Sequence, residues 1–344
     1  MSYSLISLDR NILHNGAMEI PQLGTTFTAA TIATNNDGSY LLDRWKLFSD
    51  GNDIVDVTQS TVVPTGSGKY SIAFDVETIN KKFGIAQIVE GMSSIPLQNK
   101  KVTVSFKAKV SSTAKLDNIK AAIISWTGTE DSVTADIISA WGAEGTNPTL
   151  VANCTYENTP VNLNITTNFA TYSVSAILDT ASIKNILVFI WSDVTDTTLG
   201  DFLYVTDTML NIGNNALPFS KAGSTFIEEL NICRRFYETS YALGTPPYTS
   251  TDANRFTVLY AYSTSGCRTI FPFFVPKRID PATKLISYSG TIDKLSIIGA
   301  GLSNIGNTVT CSPSQTGYAS VSDSGTAFTN GSIYIAAWRA DANL

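Results

Sequence analysis

His14 is the one histidine in the chain, and it sets the first limit on chemistry. A Ser-His-acid relay needs an imidazole within hydrogen-bond reach of its nucleophile, so any such relay here runs through His14. That residue lies inside Asn11–Met18, NILHNGAM, where a histidine held in a turn is the plainer reading. The 29 Asp and Glu residues leave glycoside hydrolysis open by number, because it needs only two opposed carboxylates, yet no spacing marks out a pair. Gly66–Tyr70, GSGKY, lacks both the first glycine of a phosphate-binding loop and the Ser/Thr after its lysine, and reads as a plain loop. Cys154, Cys233, Cys267 and Cys311 are widely separated, without the close pairs of a zinc or redox motif, and read as reduced thiols. Aromatic rings remain. Sugar recognition sets an aromatic face against a pyranose ring, with planar polar groups around it. Trp126 ends an apolar run and Trp141 opens the glycine-rich WGAEG, so these two rings are the carbohydrate-binding candidates, each with burial in a core as its alternative. Trp45, Trp191 and Trp338 sit in or beside strand patterns and read as core. The chain reads as a binder and not an enzyme.

The elements that must position these rings are strands. Lys101–Val110 alternates Val102, Val104, Phe106, Ala108 and Val110 with Thr103, Ser105, Lys107 and Lys109, the pattern of a half-buried strand. Residues 119–126, 172–178, 186–191 and 202–210 are further strands, separated by Asn, Asp, Gly and Thr turns, and such spacing predicts an antiparallel sandwich. Shorter strands follow over 257–262, 268–275, 284–288, 294–298 and 332–338, with Pro272, Pro276 and Pro281 pushed to strand ends. Composition agrees: 43% hydrophobic, 15% charged, and a net charge of −6 that argues against nucleic acid as a partner. No apolar run is long enough to cross a bilayer, and the chain reads as soluble and leaderless, with no membrane insertion.

One helix is expected between the two β regions. Thr225 and Glu228 have capping-box spacing, Leu230, Cys233, Tyr237 and Tyr241 recur at helical intervals, and Gly244 supplies a stop. The domains are accordingly a lead over 1–10, a sandwich over 11–222, the connecting helix over 223–245 and a smaller β domain over 246–344. As a minimum the helix is a strut. Phe236, Tyr237 and Tyr241 carry more aromatic surface than one helix buries against its own domains, which makes them the expected subunit contact.

Several motifs are similar to those of known proteins. Glu229–Tyr237, ELNICRRFY, resembles a joint in bacteriophage tail-fibre and related virion proteins. NILHNGAM with Leu41–Trp45, LLDRW, and Leu203–Gly213, LYVTDTMLNIG, resemble the opening and closing of jelly-roll modules related to carbohydrate-binding modules. Asn214–Phe219, NNALPF, is similar to the exit found in the phage versions. Val275–Pro281, VPKRIDP, and the ending Trp338–Leu344, WRADANL, resemble a phage fibre C-terminal domain. The resemblance covers nearly the whole chain. It implies a mainly β fold: an N-terminal jelly-roll β-sandwich, a short connecting α-helix and a smaller C-terminal β-sandwich domain. It implies a virion structural protein of a tail fibre, tail tip or head fibre, assembled in the host cytoplasm, forming a homotrimer with other virion proteins as partners and host-surface glycan as ligand. A structural calcium between Glu19 and Asp207 is implied too, against the plain reading of both as solvated carboxylates; no other cofactor is required. The alternatives are an attachment or decoration subunit that contacts only virion proteins, and a carbohydrate-degrading enzyme.

Overall fold

A computed structural model describes residues 10–249, 256–298 and 301–344. The expected lead over 1–10 therefore lies, except for Arg10, outside the described residues. The chain is mainly β and divides into two compact units. The first takes the residues up to Pro21, Thr25–Glu229 and Leu344; the second takes Gln22–Gly24 and Leu230–Asn343.

The first unit is the expected jelly-roll sandwich. A six-stranded antiparallel sheet runs in the order Thr26–Phe27, Val55–Ser60, Ser71–Val76, Phe202–Ile212, Lys101–Val110 and Ala170–Ile177. A five-stranded sheet runs Cys154–Tyr156, Ile119–Trp126, Asn185–Ser192, Phe83–Val89 and Lys46–Ser49. Alternation in Lys101–Val110 puts its valines and Phe106 inside, and Lys107 and Lys109 outside. The central strands of the five-stranded sheet are buried along their whole length, so both of its faces are covered.

The opening and closing motifs meet in space. The Asn11 side chain donates to the Thr208 carbonyl at 2.9 Å and accepts from the Leu210 amide at 3.0 Å. Thr208 N–H donates to the Gly16 carbonyl at 2.9 Å, and a Cβ on Gly16 would stand 2.0 Å from the Thr208 oxygen, so only glycine fits there.

In the second unit the long Ile333–Asp341 strand pairs Thr257–Ala261 and Ser296–Ile297 with its first half, and Ala282–Ile286 and Tyr237–Thr239 with its second. Gly266–Pro272, Gly317–Asp323 and Val309–Ser314 extend the sheet. Trp338 anchors the core, with the Phe271 and Phe273 rings 4.8 and 5.4 Å from its own.

The predicted helix forms over Phe226–Arg234. Its capping box closes both ways: Thr225 N–H donates to Glu228 at 2.9 Å, and Glu228 N–H to the Thr225 hydroxyl at 3.3 Å. It is shorter than expected and not alone. The chain is already a strand at Tyr237, and a second helical turn, Gly91–Ser94 with a 3-10 turn over Ile95–Leu97, interrupts the sandwich.

Candidate functional site

The outer face of the five-stranded sheet carries a row of aromatic rings. Phe189 and Trp191, two positions apart on one strand, stack at 4.7 Å with their planes 8° apart, and Phe48 meets Phe189 edge-on at 6.1 Å. On an open sheet this row would be a sugar platform. Here the chain covers it: after Trp126, residues 127–156 fold back as a hairpin of Ile138–Ala140 and Thr149–Leu150, burying Ile137 and Ile138 against the rings. The structure brings both predicted tryptophans to this seam, one on each side. Trp126, on the sheet, is 4% exposed and its indole N–H donates to the Thr129 carbonyl at 2.9 Å, so its face is spent on packing. Trp141 belongs to the covering segment, 6.1 Å from Phe189, and is half-buried. Its ring keeps part of its surface outward.

Three buried lysines of the sheet face hold the cover down. Lys46 donates to the Ala135 carbonyl, Lys82 to the Ala143 carbonyl at 2.9 Å, and Lys120 to the Asn147 side chain at 3.0 Å. Burial lowers the Lys46 pKa. Buried Asp193 balances the other two: it pairs with Lys82, with Lys120 at 2.7 Å, and accepts the Gly145 N–H at 2.9 Å. Gly145 has φ +83°, a conformation that favours glycine and aims its N–H at Asp193. None of these lysines was legible as functional from the sequence, where nothing links three charges so far apart.

Glu19 and Asp207 flank one turn, Ser67–Gly68. The Ser67 hydroxyl donates to Asp207 at 2.6 Å, and a Cβ on Gly68 would lie 3.0 Å from a Glu19 oxygen. Asp207 sits at a bulge in the closing strand with φ +49°, which turns its carboxylate to the turn. Both carboxylates already have a cation. Lys107 lies 3.0 Å from Asp207 and Lys221 pairs with Glu19. Asp207 Oδ1 is the buried oxygen of that carboxylate left without a hydrogen bond. A calcium ion takes six to eight oxygens, and among the described residues no group of three or more His, Cys, Asp or Glu side chains is placed to hold a metal. The donor set fits two ammonium groups and not a divalent ion. EDTA and added calcium are therefore expected to leave the melting temperature unchanged, whereas Lys107→Met, which strands the Asp207 carboxylate, should cost about 1–3 kcal/mol in urea unfolding. A melting temperature that rises with calcium and falls with EDTA would restore the metal.

The expected subunit contact is corrected by the second unit. Phe236, Tyr237 and Tyr241 are 1%, 3% and 5% exposed within their own chain. The reason is the change of period after Arg234: Tyr237 enters a strand paired to Asp341, and Tyr241 packs on Ile286 and Ala337. His14 is held as expected of a turn residue, its backbone N–H and carbonyl both bonded at 2.7 Å by the Gln87 amide. All four cysteines are free, and burial pushes the thiols of Cys154 and Cys311 up to about 11 and that of Cys267 to about 12, away from nucleophilic chemistry. No described helix is long and apolar enough to cross a membrane.

Fold and site together define a mainly β protein whose jelly-roll unit buries one aromatic face under its own chain. No protein-family model matches the sequence, and no curated protein matches it. Among solved structures, the chain is similar to the enzymatically active domain of tailspike protein 4 from bacteriophage CBA120, at 14% identity over 60% of this chain and 22% of that one, with TM-score 0.36. It is similar to TmCBM61 in complex with β-1,4-galactotriose, at 15% identity over 59% of this chain and 99% of that one, with TM-score 0.32. It is similar to the CBM22-1 xylan-binding domain of Xyn10C from Paenibacillus barcinonensis, at 12% identity over 50% of this chain and 87% of that one, with TM-score 0.30. The chain thus spans less than a quarter of the tailspike it matches. All three scores are below 0.5, and the architecture rests on the strand order given above.

Proposed function

We propose that this chain is a bacteriophage virion structural protein, of a tail fibre, tail tip or head fibre, that binds host-surface glycan through several copies of its β-sandwich. The observation that supports the glycan-binding part of the reading is the union of the two motifs on which the resemblance to carbohydrate-binding jelly rolls rests: NILHNGAM and LYVTDTMLNIG, far apart in sequence, interlock through Asn11, Gly16, Thr208 and Leu210. Several weak sites on a trimer gain avidity for a repeated surface polymer without any new contact. The protein acts by binding, and its partners are other copies, other virion proteins and glycan.

The test is binding of the assembled protein to arrayed host-surface glycans, with a Trp141→Ala variant to measure the share of that half-buried ring. Saturable binding is expected, without reducing-sugar release. Failure of every glycan to bind would overturn the glycan reading, and sugar release would replace it with an enzyme. The second reading, an attachment or decoration subunit that meets only virion proteins, is favoured by the cover over the Phe189–Trp191 row.

A further inference from the structure

The outer face of the six-stranded sheet carries a second aromatic group, away from the covering segment. Along the closing strand, Phe202 and Tyr204 alternate with buried Leu203 and Val205, so both rings stand on the outer side. Their centroids are 5.6 Å apart with planes 18° from parallel. Pairing sets Tyr204 between Ala73 and Lys109, and Phe202 opposite Asp75, which itself lies opposite Asp56. Directly opposed residues of antiparallel strands share a face, so these side chains form one surface. The Lys109 ammonium lies 5.0 Å from the Tyr204 ring and 5.4 Å from that of Phe169, which meets Tyr204 at 6.4 Å. Each of these groups except Ala73 is half-buried: fixed by its neighbours, yet open on one side.

The chemistry of the face selects its ligand. Aromatic carbon packs against the C–H face of a sugar, a carboxylate accepts from hydroxyls and an ammonium donates to them. Burial, then Glu77, Asp53 and Asp75, push the Asp56 carboxyl up to about 6. Asp56 and Asp75, with Glu77 and Asp53 close enough to act on Asp56, outnumber Lys109, which disfavours a polyanion, and the aromatic rings beside them fit a neutral, hydroxyl-rich ligand.

We propose that Phe202, Tyr204 and Phe169, with Lys109 and Asp75, form a docking platform for a neutral saccharide chain. The proposal rests on the glycan-binding reading and gives it a place and a ligand class. The experiment titrates the full chain and its variants on arrayed neutral oligosaccharides of hexose and N-acetylhexosamine, with sulfated and uronate glycans as the anionic comparison, after thermal melts have matched the variants to the wild type. Neutral glycans are expected to bind, with affinity reduced roughly tenfold or more by Tyr204→Ala and by Phe202→Ala and kept within about threefold by Tyr204→Phe, which retains the ring. Wild-type affinity in both alanine variants, or a preference for the anionic glycans, overturns the platform while the glycan reading stands. Loss of binding with Trp141→Ala alone does the same and moves the site to the covering segment. No binding by the wild type overturns both.

Discussion

Asp193→Ala is expected to lower the stability of the sandwich unit by about 3–5 kcal/mol, the loss typical when one partner of a buried ion pair is removed. The carboxylate is fully buried between Lys82 and Lys120, whose side chains are 1% and 6% exposed, and it also takes the Gly145 N–H. Without it, two ammonium groups lie inside the protein with only neutral acceptors, Ala143 and Asn147. Both hold the covering segment, so the damage has a location. Trp141 and the Phe189–Trp191 row should become wetter, seen as a red shift of tryptophan emission at denaturant concentrations where the rest of the unit remains folded. Asp193→Asn keeps the acceptor for Gly145 and should fall between. The triple change of Asp193→Leu, Lys82→Met and Lys120→Met, which leaves no charge behind, should recover much of the loss. A shift of the urea midpoint equivalent to less than about 1 kcal/mol in Asp193→Ala would remove the role assigned to this cluster.

The second large effect belongs to the other unit. Lys277 and Glu238 have fully buried side chains that pair with each other; the ammonium also donates to the Arg234 and Val275 carbonyls at 2.7 Å, and Glu238 accepts the Phe274 N–H at 2.9 Å. Glu238→Ala should cost about 3–5 kcal/mol near neutral pH. Its pH dependence is the sharper signature. Burial lowers the Lys277 pKa, and hydrogen bonding and charge from Glu238 oppose that shift. Removing Glu238 leaves burial unopposed, so the variant's lysine releases its proton at a lower pH than the wild type's. Between that lowered pKa and the ordinary lysine value the unfolded chain binds more protons than the native one, so stability rises with pH across that window. The gap between variant and wild type should therefore narrow from pH 7 to pH 9 in paired melts of the full chain. A gap that stays constant would mean that Lys277 is not left as an unpaired buried charge.

The parts that were legible in the sequence had a single physical period. Lys101–Val110 alternates without interruption and forms the strand as read, and Thr225 and Glu228 make the cap that their spacing implies. The helix end failed for a specific reason. Tyr237 and Tyr241 are four apart, a separation that puts residues on one side of a helix and also on one side of a strand, and nothing local decides between them. The covering segment has no period at all: Val133, Ile137, Ile138, Trp141, Leu150 and Val151 reach the sheet from irregular positions. What fixes it is three lysines distant in sequence, which is tertiary information. Trp126 looked like an edge ring because the cover could not be seen. Phe202 and Tyr204 were absorbed into the reading of a closing strand, because Phe202–Val205 is a continuous apolar run that does not say which alternate pair faces outward.

The interlock of Asn11 with Thr208 spans 197 positions of sequence. On a ribosome adding about 5–20 residues per second, the opening segment emerges roughly 10–40 s before its partner strand exists. Leu13, Met18 and Ile20, all fully buried in the finished molecule, spend that interval exposed on the nascent chain. The opening segment cannot complete its pairing until the closing strand has been made. Chaperone engagement during synthesis is expected to fall on this apolar opening until translation has passed Leu210.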